Sequence, residues 1–356
     1  MNTLGVSYMK RRAIVIAVML LVGFHLVAAT IGAPAATVRL TKTTPISMAE
    51  LDAEVAEYQQ SAKTAGQDPS TIDPLQVLNL LINNELFRQG AARDGVKITD
   101  SMIDSAYASQ KANLEASYGQ KISDEQFAEV IKNNFGSVEA YRKMVGEQLM
   151  VDSYVRLKKA DVLNKPVSIT DTEINSFYRK NRTQFVSPET VKLSHIYIPF
   201  SADQATNDKN KATLDEVAAK IKAGTMTFEK AVVDYSQDAQ SKNKAGDIGW
   251  LTMDNTDAQA GLGDAFFDVA FTTDVGTTSP VVTSLTGYHI LKVLAYNETK
   301  ILGLDEPISP NTTSTIRDYI RSELTSAKQQ ETYYQAINGL VDDLRKSATV
   351  NILYKK

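Results

Sequence analysis

The chain has 356 residues, of which 43% are hydrophobic, and this is enough to bury two modest cores in two or three domains. Its 38 basic and 42 acidic residues give a net charge of -4, so no global basic field favours nucleic acid as a partner. The absence of cysteine excludes disulfides, thiolate metal sites, a cysteine nucleophile and a lipid-modified cysteine.

The first 36 residues have the pattern of an export segment. Residues 10–12, Lys-Arg-Arg, precede an apolar run over residues 13–31, and no acidic residue comes before it. The run is close to the ~20 residues that span a bilayer, although a glycine, a histidine and a threonine interrupt it. Small-residue sites at 27–29 and 33–35 suit a signal peptidase. Residues 1–36 therefore predict either a cleaved signal or a retained membrane anchor, with the rest of the protein outside the cytoplasm.

The segment after residue 47 has the pattern of amphipathic helices. Side chains that cap helix N-termini precede several apolar stripes: Ser47, Asp73, Ser123 and Thr170. The first stripes are Leu51, Val55 and Tyr58; Leu78, Leu81, Ile82 and Leu86; and Phe127, Val130 and Ile131. No heptad repeat persists, so residues 37–186 predict a packed set of helices. Stripes around residues 316–344 predict one long or two shorter helices within residues 299–356.

Residues 187–298 alternate between strand and helix patterns. Residues 191–198 are β-branched and aromatic with alternating polarity, which predicts a strand. Residues 280–283 and 288–293 predict two further strands joined by a turn, and helical stripes fill the segment before them. The block therefore predicts an α+β module, a small sheet covered by helices.

Five motifs in this block occur in an order that resembles the parvulin-type peptidyl-prolyl isomerases. They are Ser194-His195-Ile196, Tyr235-Ser236-Gln237-Asp238, Gly246-Asp247-Ile248-Gly249-Trp250, Ala265-Phe266 with Ala270-Phe271, and Gly287-Tyr288-His289-Ile290-Leu291-Lys292-Val293. The flanking helices, including residues 46–51 and 80–86, are similar to the chaperone domain of SurA-like and PrsA-like export foldases. The resemblance implies a parvulin-like domain inserted in an all-helical chaperone lobe.

A domain of this family must lower the barrier to rotation about an Xaa-Pro amide, ~18–20 kcal/mol, which arises from resonance in the C–N bond. The reaction needs no metal and no cofactor, only an apolar pocket for proline and polar groups that favour the twisted amide. Matched by motif, the resemblance implies three catalytic residues: His195, Asp238 and His289. It implies four substrate-binding residues, Ile248, Leu262, Phe266 and Thr286, with Met253 as the alternative to Leu262.

Two assignments have an alternative. Histidines in strands are often buried core residues, and the pair could hold a hydrogen-bond network in shape without contacting substrate. The connection from Trp250 to Phe266 is longer than in the family, so either Leu262 or Met253 fits the pocket position.

Two functions compete. The first is an extracytoplasmic prolyl isomerase and folding chaperone for unfolded or nascent exported polypeptides with Xaa-Pro bonds. The second is a holdase chaperone, in which the helical lobe holds unfolded chains and the parvulin module is an inactive scaffold. The membrane is a partner through the N-terminal segment if that segment is not cleaved, and the oligomeric state is not predicted.

Overall fold

The computed structural model describes residues 33–355. They form two compact units, one of residues 169–324 and the other of residues 33–168 together with 325–355. The predicted signal or anchor over residues 1–36 lies almost entirely outside the described residues. Within the described part of the chain, no helix combines the length and the apolar character needed to cross a bilayer.

The described chain consists of helices and short antiparallel strands. The helices are α1 (Met48–Thr64), α2 (Pro74–Arg93), α3 (Asp100–Tyr118), α4 (Asp124–Phe135), α5 (Val138–Lys158), α6 (Ala160–Leu163), α7 (Asp171–Asn181), α8 (Gln204–Lys222), α9 (Phe228–Tyr235), α10 (Thr256–Leu262), α11 (Asp264–Thr272) and α12 (Ile316–Ser347). The strands are β1 (Pro34–Arg39), β2 (Thr43–Ser47), β3 (Val186–Ser187), β4 (Thr190–Pro199), β5 (Asp247–Thr252), β6 (Thr278–Thr283), β7 (Gly287–Asn297), β8 (Lys300–Ile301) and β9 (Thr349–Ile352).

Side-chain caps start the helices as the sequence predicts. Ser123 and Thr170 form complete capping boxes at α4 and α7, and Asp73 caps α2 directly before a proline. Ser47 accepts a hydrogen bond from the amide of Glu50 at the start of α1. Of the two predictions for the last segment, the single long helix is correct, since α12 is continuous.

The unit of residues 33–168 and 325–355 is rich in helices, as predicted, and also contains a small sheet. Only its last strand was anticipated, since the sequence of residues 350–353 allowed either a short strand or a tail. Strand β1 lies between β2 and β9, with Ala36 paired to Ile352. Val38 of β1 is buried in one core with Leu78 and Leu86 of α2 and with Leu340 of α12. The lobe is therefore helical with a three-stranded sheet packed into its core. A second, smaller apolar core in the same unit is formed by side chains of α3, α4 and α5.

The unit of residues 169–324 is built on a four-stranded antiparallel sheet of order β5-β4-β7-β6. Side chains alternate between its two faces. Ile196 and Ile290 belong to a core with α8 and α9, whereas Leu193 and Leu291 belong to a core with α11. This confirms the α+β module, and helices cover both faces of the sheet.

A third apolar cluster extends this unit beyond the predicted domain limits. Ile174 of α7, Phe185 and Leu302 pack with Ile316 and Ile320 in the first turns of α12. The unit of residues 169–324 thus contains the predicted block of residues 187–298 together with the segments that flank it, and these flanking segments bury their apolar side chains against one another.

Candidate functional site

Two histidines lie side by side on the central strands β4 and β7. Because Ile196 and Ile290 face α8 and α9, the preceding residues, His195 and His289, point to the opposite face, toward α11. Both side chains are buried, and their Nδ1 atoms are 3.3 Å apart. The fold thus brings together two residues that are far apart in the sequence.

Asp238 reaches His195 from the loop after α9. Its Oδ2 atom lies 3.1 Å from Nε2 of His195 and accepts a hydrogen bond of 2.5 Å from the hydroxyl of Ser241. The amide of Gln237 donates to the carbonyl of Tyr197 at 2.7 Å. The loop is therefore tied to the end of β4, and this tie sets the position of the carboxylate.

Ser284 extends the network on the other side and was missed from the sequence. Its Oγ atom lies 2.9 Å from Nε2 of His289 and accepts hydrogen bonds from the amides of Thr286 at 3.0 Å and Gly287 at 3.1 Å. Thr286, predicted to bind substrate, is exposed in the same turn, with its hydroxyl 3.1 Å from Ser284 Oγ. A serine that begins a turn just before β7 was the available signal.

Burial keeps both imidazoles neutral. It lowers the pKa of His195, although the hydrogen bond to Asp238 acts in the opposite direction. Burial, reinforced by the neighbouring His195, lowers the pKa of His289 to about 3. Burial opposes ionisation of Asp238, but hydrogen bonds from Ser241, His195 and the Gln240 amide outweigh it and hold the pKa of Asp238 below its usual range. At neutral pH the site therefore contains two neutral imidazoles and one carboxylate.

Neutrality sets the direction of the hydrogen bonds. A neutral imidazole has one N–H donor and one acceptor nitrogen. Because the carboxylate of Asp238 only accepts, His195 donates through Nε2, and its Nδ1 atom accepts from Nδ1–H of His289. The Nε2 atom of His289 then accepts from the hydroxyl of Ser284. Every ring nitrogen is satisfied in a chain that runs from Ser284 to Asp238.

Two aromatic rings pack against His289. Phe266 of α11 contacts the imidazole edge to face at 5.0 Å, and Tyr197 stacks on it at 4.6 Å. Phe266 is only 1% exposed and shares a core with Phe267, so it supports the imidazole from within the domain. Tyr197 was missed from the sequence, although its position two residues after His195 places it on the same face of β4.

The other predicted pocket residues lie on β5 and the connection after it. Ile248 occupies a β-bulge of β5, and Met253 follows this strand; both are exposed. Leu262 ends α10, packs on the core that contains Phe266, and accepts a hydrogen bond of 2.9 Å from the amide of Leu285. The long connection from Trp250 to Phe266 thus contains a short helix. Of the two alternatives, Leu262 packs on the core and Met253 is exposed.

Gly246 holds His195 and the Asp238 loop close together. Its carbonyl accepts a hydrogen bond from the amide of His195, and its own amide donates to the carbonyl of Ser241, both at 2.9 Å. Its φ angle is +79°, and a methyl group there would lie 2.5 Å from the carbonyl oxygen of His195. Only glycine permits this backbone angle and this close approach.

The site combines a fixed polar network with apolar side chains, which suits the binding of an apolar ring beside oriented polar groups. A cleft of about 750 Å³ between α8, α9 and β6 lies on the opposite face of the sheet, so it is separate from the histidine site. Across residues 33–355, no group of three or more histidine and acidic side chains is placed to hold a metal ion.

Two family models match separate parts of the chain. Residues 177–297 match the PPIC-type PPIASE domain, and residues 9–155 match the SurA-like N-terminal domain. Together these matches cover the block that carries His195, Asp238 and His289 and the helices that precede it.

Curated proteins are similar over most of the chain. The foldase protein PrsA of Clostridium kluyveri is 27% identical over 278 residues, which are 77% of this chain and 72% of that protein. The chaperone SurA of Nitrosococcus oceani is 28% identical over 240 residues, 67% of this chain and 52% of that protein.

The solved structures that match the chain include a peptidylprolyl isomerase, PrsA, from Bacillus anthracis, with 20% identity, coverage of 75% of this chain and 97% of that chain, and a TM-score of 0.28. A SurA-like chaperone from Campylobacter jejuni has 21% identity, covers 90% of this chain and 100% of that chain, and gives a TM-score of 0.34.

Proposed function

Because the chain contains a PPIC-type PPIase domain and a SurA-like N-terminal domain, we propose that it isomerises Xaa-Pro bonds in unfolded exported polypeptides and also holds such chains against aggregation. This combination of two domains is that of a foldase-type peptidyl-prolyl isomerase.

The observation that carries the proposal is the hydrogen-bond chain from Ser284 through His289 and His195 to Asp238. Isomerisation forms no covalent intermediate, so the site must favour a twisted amide over a planar one. A network in which every donor has a partner keeps its geometry while substrate turns, and preoriented groups cost no reorganisation at the transition state. We assign His195, Asp238 and His289 to this polar floor.

Apolar side chains beside the network suit a proline ring. Phe266 packs on His289, and Leu262 extends the same core toward the turn that carries Thr286. We keep Ile248, Met253 and Thr286 as residues that contact substrate. All three are exposed, with Thr286 in the turn that carries Ser284 and Ile248 on β5, the strand paired with β4. Burial of the ring removes water from the rotating bond, which strengthens nearby polar interactions.

A protease-free isomerisation assay on an Ala-Pro peptide tests the enzymatic part. Wild type is expected to shorten the exchange time well below the tens to hundreds of seconds of the uncatalysed reaction. Asp238→Ala is expected to lose most of this rate while Trp250 fluorescence remains that of the folded domain. No rate above background for wild type contradicts the proposal.

Holding of unfolded chains is assigned to the helix-rich unit. Tyr118 at the end of α3 and Leu157 near the end of α5 are exposed large apolar side chains of the kind that contact unfolded polypeptides. Tyr118→Ser with Leu157→Ser is expected to weaken suppression of aggregation of an unfolded client and to leave isomerisation of the Ala-Pro peptide unchanged. Loss of both activities in this variant would point to unfolding instead.

We place the protein outside the cytoplasm, in the cell envelope. The support is the basic and apolar pattern of residues 10–31 and the similarity to the foldase PrsA and the chaperone SurA. The intact mass of the protein from its own host distinguishes a cleaved signal from a retained anchor. Protection from protease added to cells with a permeabilised outer surface would contradict this location.

A further inference from the structure

Helix α1 of the helix-rich unit carries three glutamates on one side. Glu50, Glu54 and Glu57 recur at helical spacing, so their side chains are neighbours on the helix surface. Lys63 is the only basic residue of α1, and it lies in the last turn of the helix. Like charges at this spacing repel one another, so the arrangement is unfavourable unless a proton or a cation neutralises part of it.

The middle glutamate, Glu54, is buried without a partner. It is only 6% exposed, and it makes no hydrogen bond or ion pair with any residue in the range 33–355. Tyr58 lies one turn later on the same side of the helix. Its hydroxyl is the only fully buried side-chain oxygen or nitrogen of the described chain that lacks a hydrogen bond. Native structures rarely leave such groups unsatisfied, so two of them in adjacent turns point to a ligand with several donors.

The charges that act on Glu54 come from acidic side chains alone. Burial, reinforced by the charges of Glu57 and Glu50, raises the pKa of Glu54 to about 8, so its carboxyl group is neutral at pH 7. The elements packed against α1 are α2, β1, β2 and the short turn Pro69–Thr71. Among these described elements, none brings a charged group that acts on Glu54. A cation from another molecule would therefore meet no competitor inside the unit.

We propose that this side of α1 binds a lysine or arginine side chain of an unfolded polypeptide, with Glu54 as the central acceptor and the Tyr58 hydroxyl beside it. This site rests on the holding function proposed above for the helix-rich unit, and it makes segments with basic residues the preferred clients. An ammonium or guanidinium group has several donors, so it can serve the carboxylate and the hydroxyl together. Glu50 and Glu57 attract the same cation.

Binding of the cation releases a proton from Glu54. The carboxyl group is neutral in the free protein at pH 7, and a cation beside it favours the ionised form. A peptide with a central lysine is therefore expected to displace about one proton per molecule bound at pH 7. Because binding releases a proton, the affinity for this peptide increases as the pH rises toward 8.

The test uses short unfolded peptides that differ only in one central residue: lysine, arginine or glutamine. Titration calorimetry in two buffers with different ionisation heats gives both the affinity and the number of protons released. The full chain is compared with Glu54→Gln, Tyr58→Phe and the matched control Asp52→Asn. Asp52 is exposed on α1 and lies two residues before Glu54, so it does not face the same side.

Each variant is expected to fold. Glutamine reproduces the neutral carboxyl group of Glu54, and phenylalanine keeps the ring of Tyr58 while removing its unsatisfied hydroxyl. Far-UV circular dichroism of the helices checks this. Should Glu54→Gln fail to fold, Tyr58→Phe tests the same site.

Wild type and Asp52→Asn are expected to bind the lysine and arginine peptides about fivefold or more tightly than the glutamine peptide. Glu54→Gln is expected to reduce this preference below about twofold and to release no proton. Tyr58→Phe is expected to lower the preference and still release the proton.

Equal binding of the three peptides by wild type overturns the site on α1, and so does an equal loss of preference in Asp52→Asn. An unchanged preference in the folded Glu54→Gln or Tyr58→Phe variant overturns it as well. In each of these cases the holding function stands if wild type still suppresses aggregation of an unfolded client. Absence of both peptide binding and suppression in wild type overturns the site and the holding function together.

Discussion

His195 and His289 face each other through their Nδ1 atoms at 3.3 Å, with their ring planes inclined by 39°. Two charged imidazoles could not be held so close together in a buried site. The contact is stable only when one Nδ1 atom donates and the other accepts, so a single proton lies between the two Nδ1 atoms. Asp238 and Ser284, at the two ends of the hydrogen-bond network, determine which Nδ1 atom carries this proton.

Asp238→Asn is expected to lower kcat/KM for an Ala-Pro peptide by about tenfold or more, since it disturbs the orientation of a site group without removing its volume. The carboxylate accepts through both oxygens, Oδ2 from His195 and Ser241 and Oδ1 from the amide of Gln240 at 3.1 Å, whereas an amide has one acceptor oxygen and places an NH2 donor against one of these partners. The matched control is Asp234→Asn, because that aspartate pairs with Lys230 on the exposed side of α9. A similar loss in both variants would contradict the assigned role.

Acid is expected to destabilise the domain of residues 169–324 through His289. Its pKa of about 3 in the folded state is below the ordinary value of 6.5, so the unfolded chain binds the proton more tightly. Stability is therefore full above pH 6.5 and falls as the pH decreases toward 3, with a slope of about 1.4 kcal/mol per pH unit for one proton. His195 and Asp238, whose pKa values are also lowered, add to the loss in the same direction.

The single tryptophan of the chain, Trp250, lies on β5 and reports the unfolding of this domain. Denaturant curves followed by Trp250 between pH 7 and pH 4 measure the slope. His289→Gln, which cannot take up the proton, is expected to flatten it. An unchanged slope in this variant would show that other groups cause the acid sensitivity.

Gly246→Ala is expected to destabilise the domain much more than Gly249→Ala. Both glycines have positive φ angles, +79° and +84°, so both variants carry a backbone strain of about 1 to 2 kcal/mol. Only at Gly246 does the added methyl group collide with the carbonyl of His195, whereas at Gly249 it meets no atom within 4 Å. Trp250 denaturation curves compare the two, and equal destabilisation would contradict the close packing at Gly246.

Phe266→Ala is expected to lower the stability of the domain by about 3 to 5 kcal/mol and to reduce isomerisation, because the ring is buried and supports His289. Phe266→Leu retains most of the apolar volume, so we expect it to keep the fold and lose the edge-to-face contact. If Phe266→Leu keeps the full rate of wild type, the ring has no specific part in catalysis. Denaturation and rate measurements on both variants separate the two effects.

Local patterns were sufficient to predict much of this fold. The alternation around His195 and His289 predicted β4 and β7, and the caps at Asp73, Ser123 and Thr170 predicted three helix starts. These features depend on side chains that act within a few residues. The ordered motifs then indicated which strands belong to one domain.

The parts that were missed depend on distant pairing. Strand β9 pairs with β1, and nothing in either short segment specifies a partner at the other end of the sequence. Ser284 and Tyr197 join the site because of how the turn and β4 approach His289 in three dimensions. Helix α10 forms in a connection whose glycines and polar residues favour a loop.

The pairing of β1 with β9 has a consequence for the order in which the protein matures. All residues of the unit at 169–324 are synthesised before residue 349, so its sheet can close while the chain is still being made. One edge of strand β1 remains unpaired until strand β9 has been synthesised. The other unit therefore completes its sheet last, and one edge of β1 stays open to pairing until then.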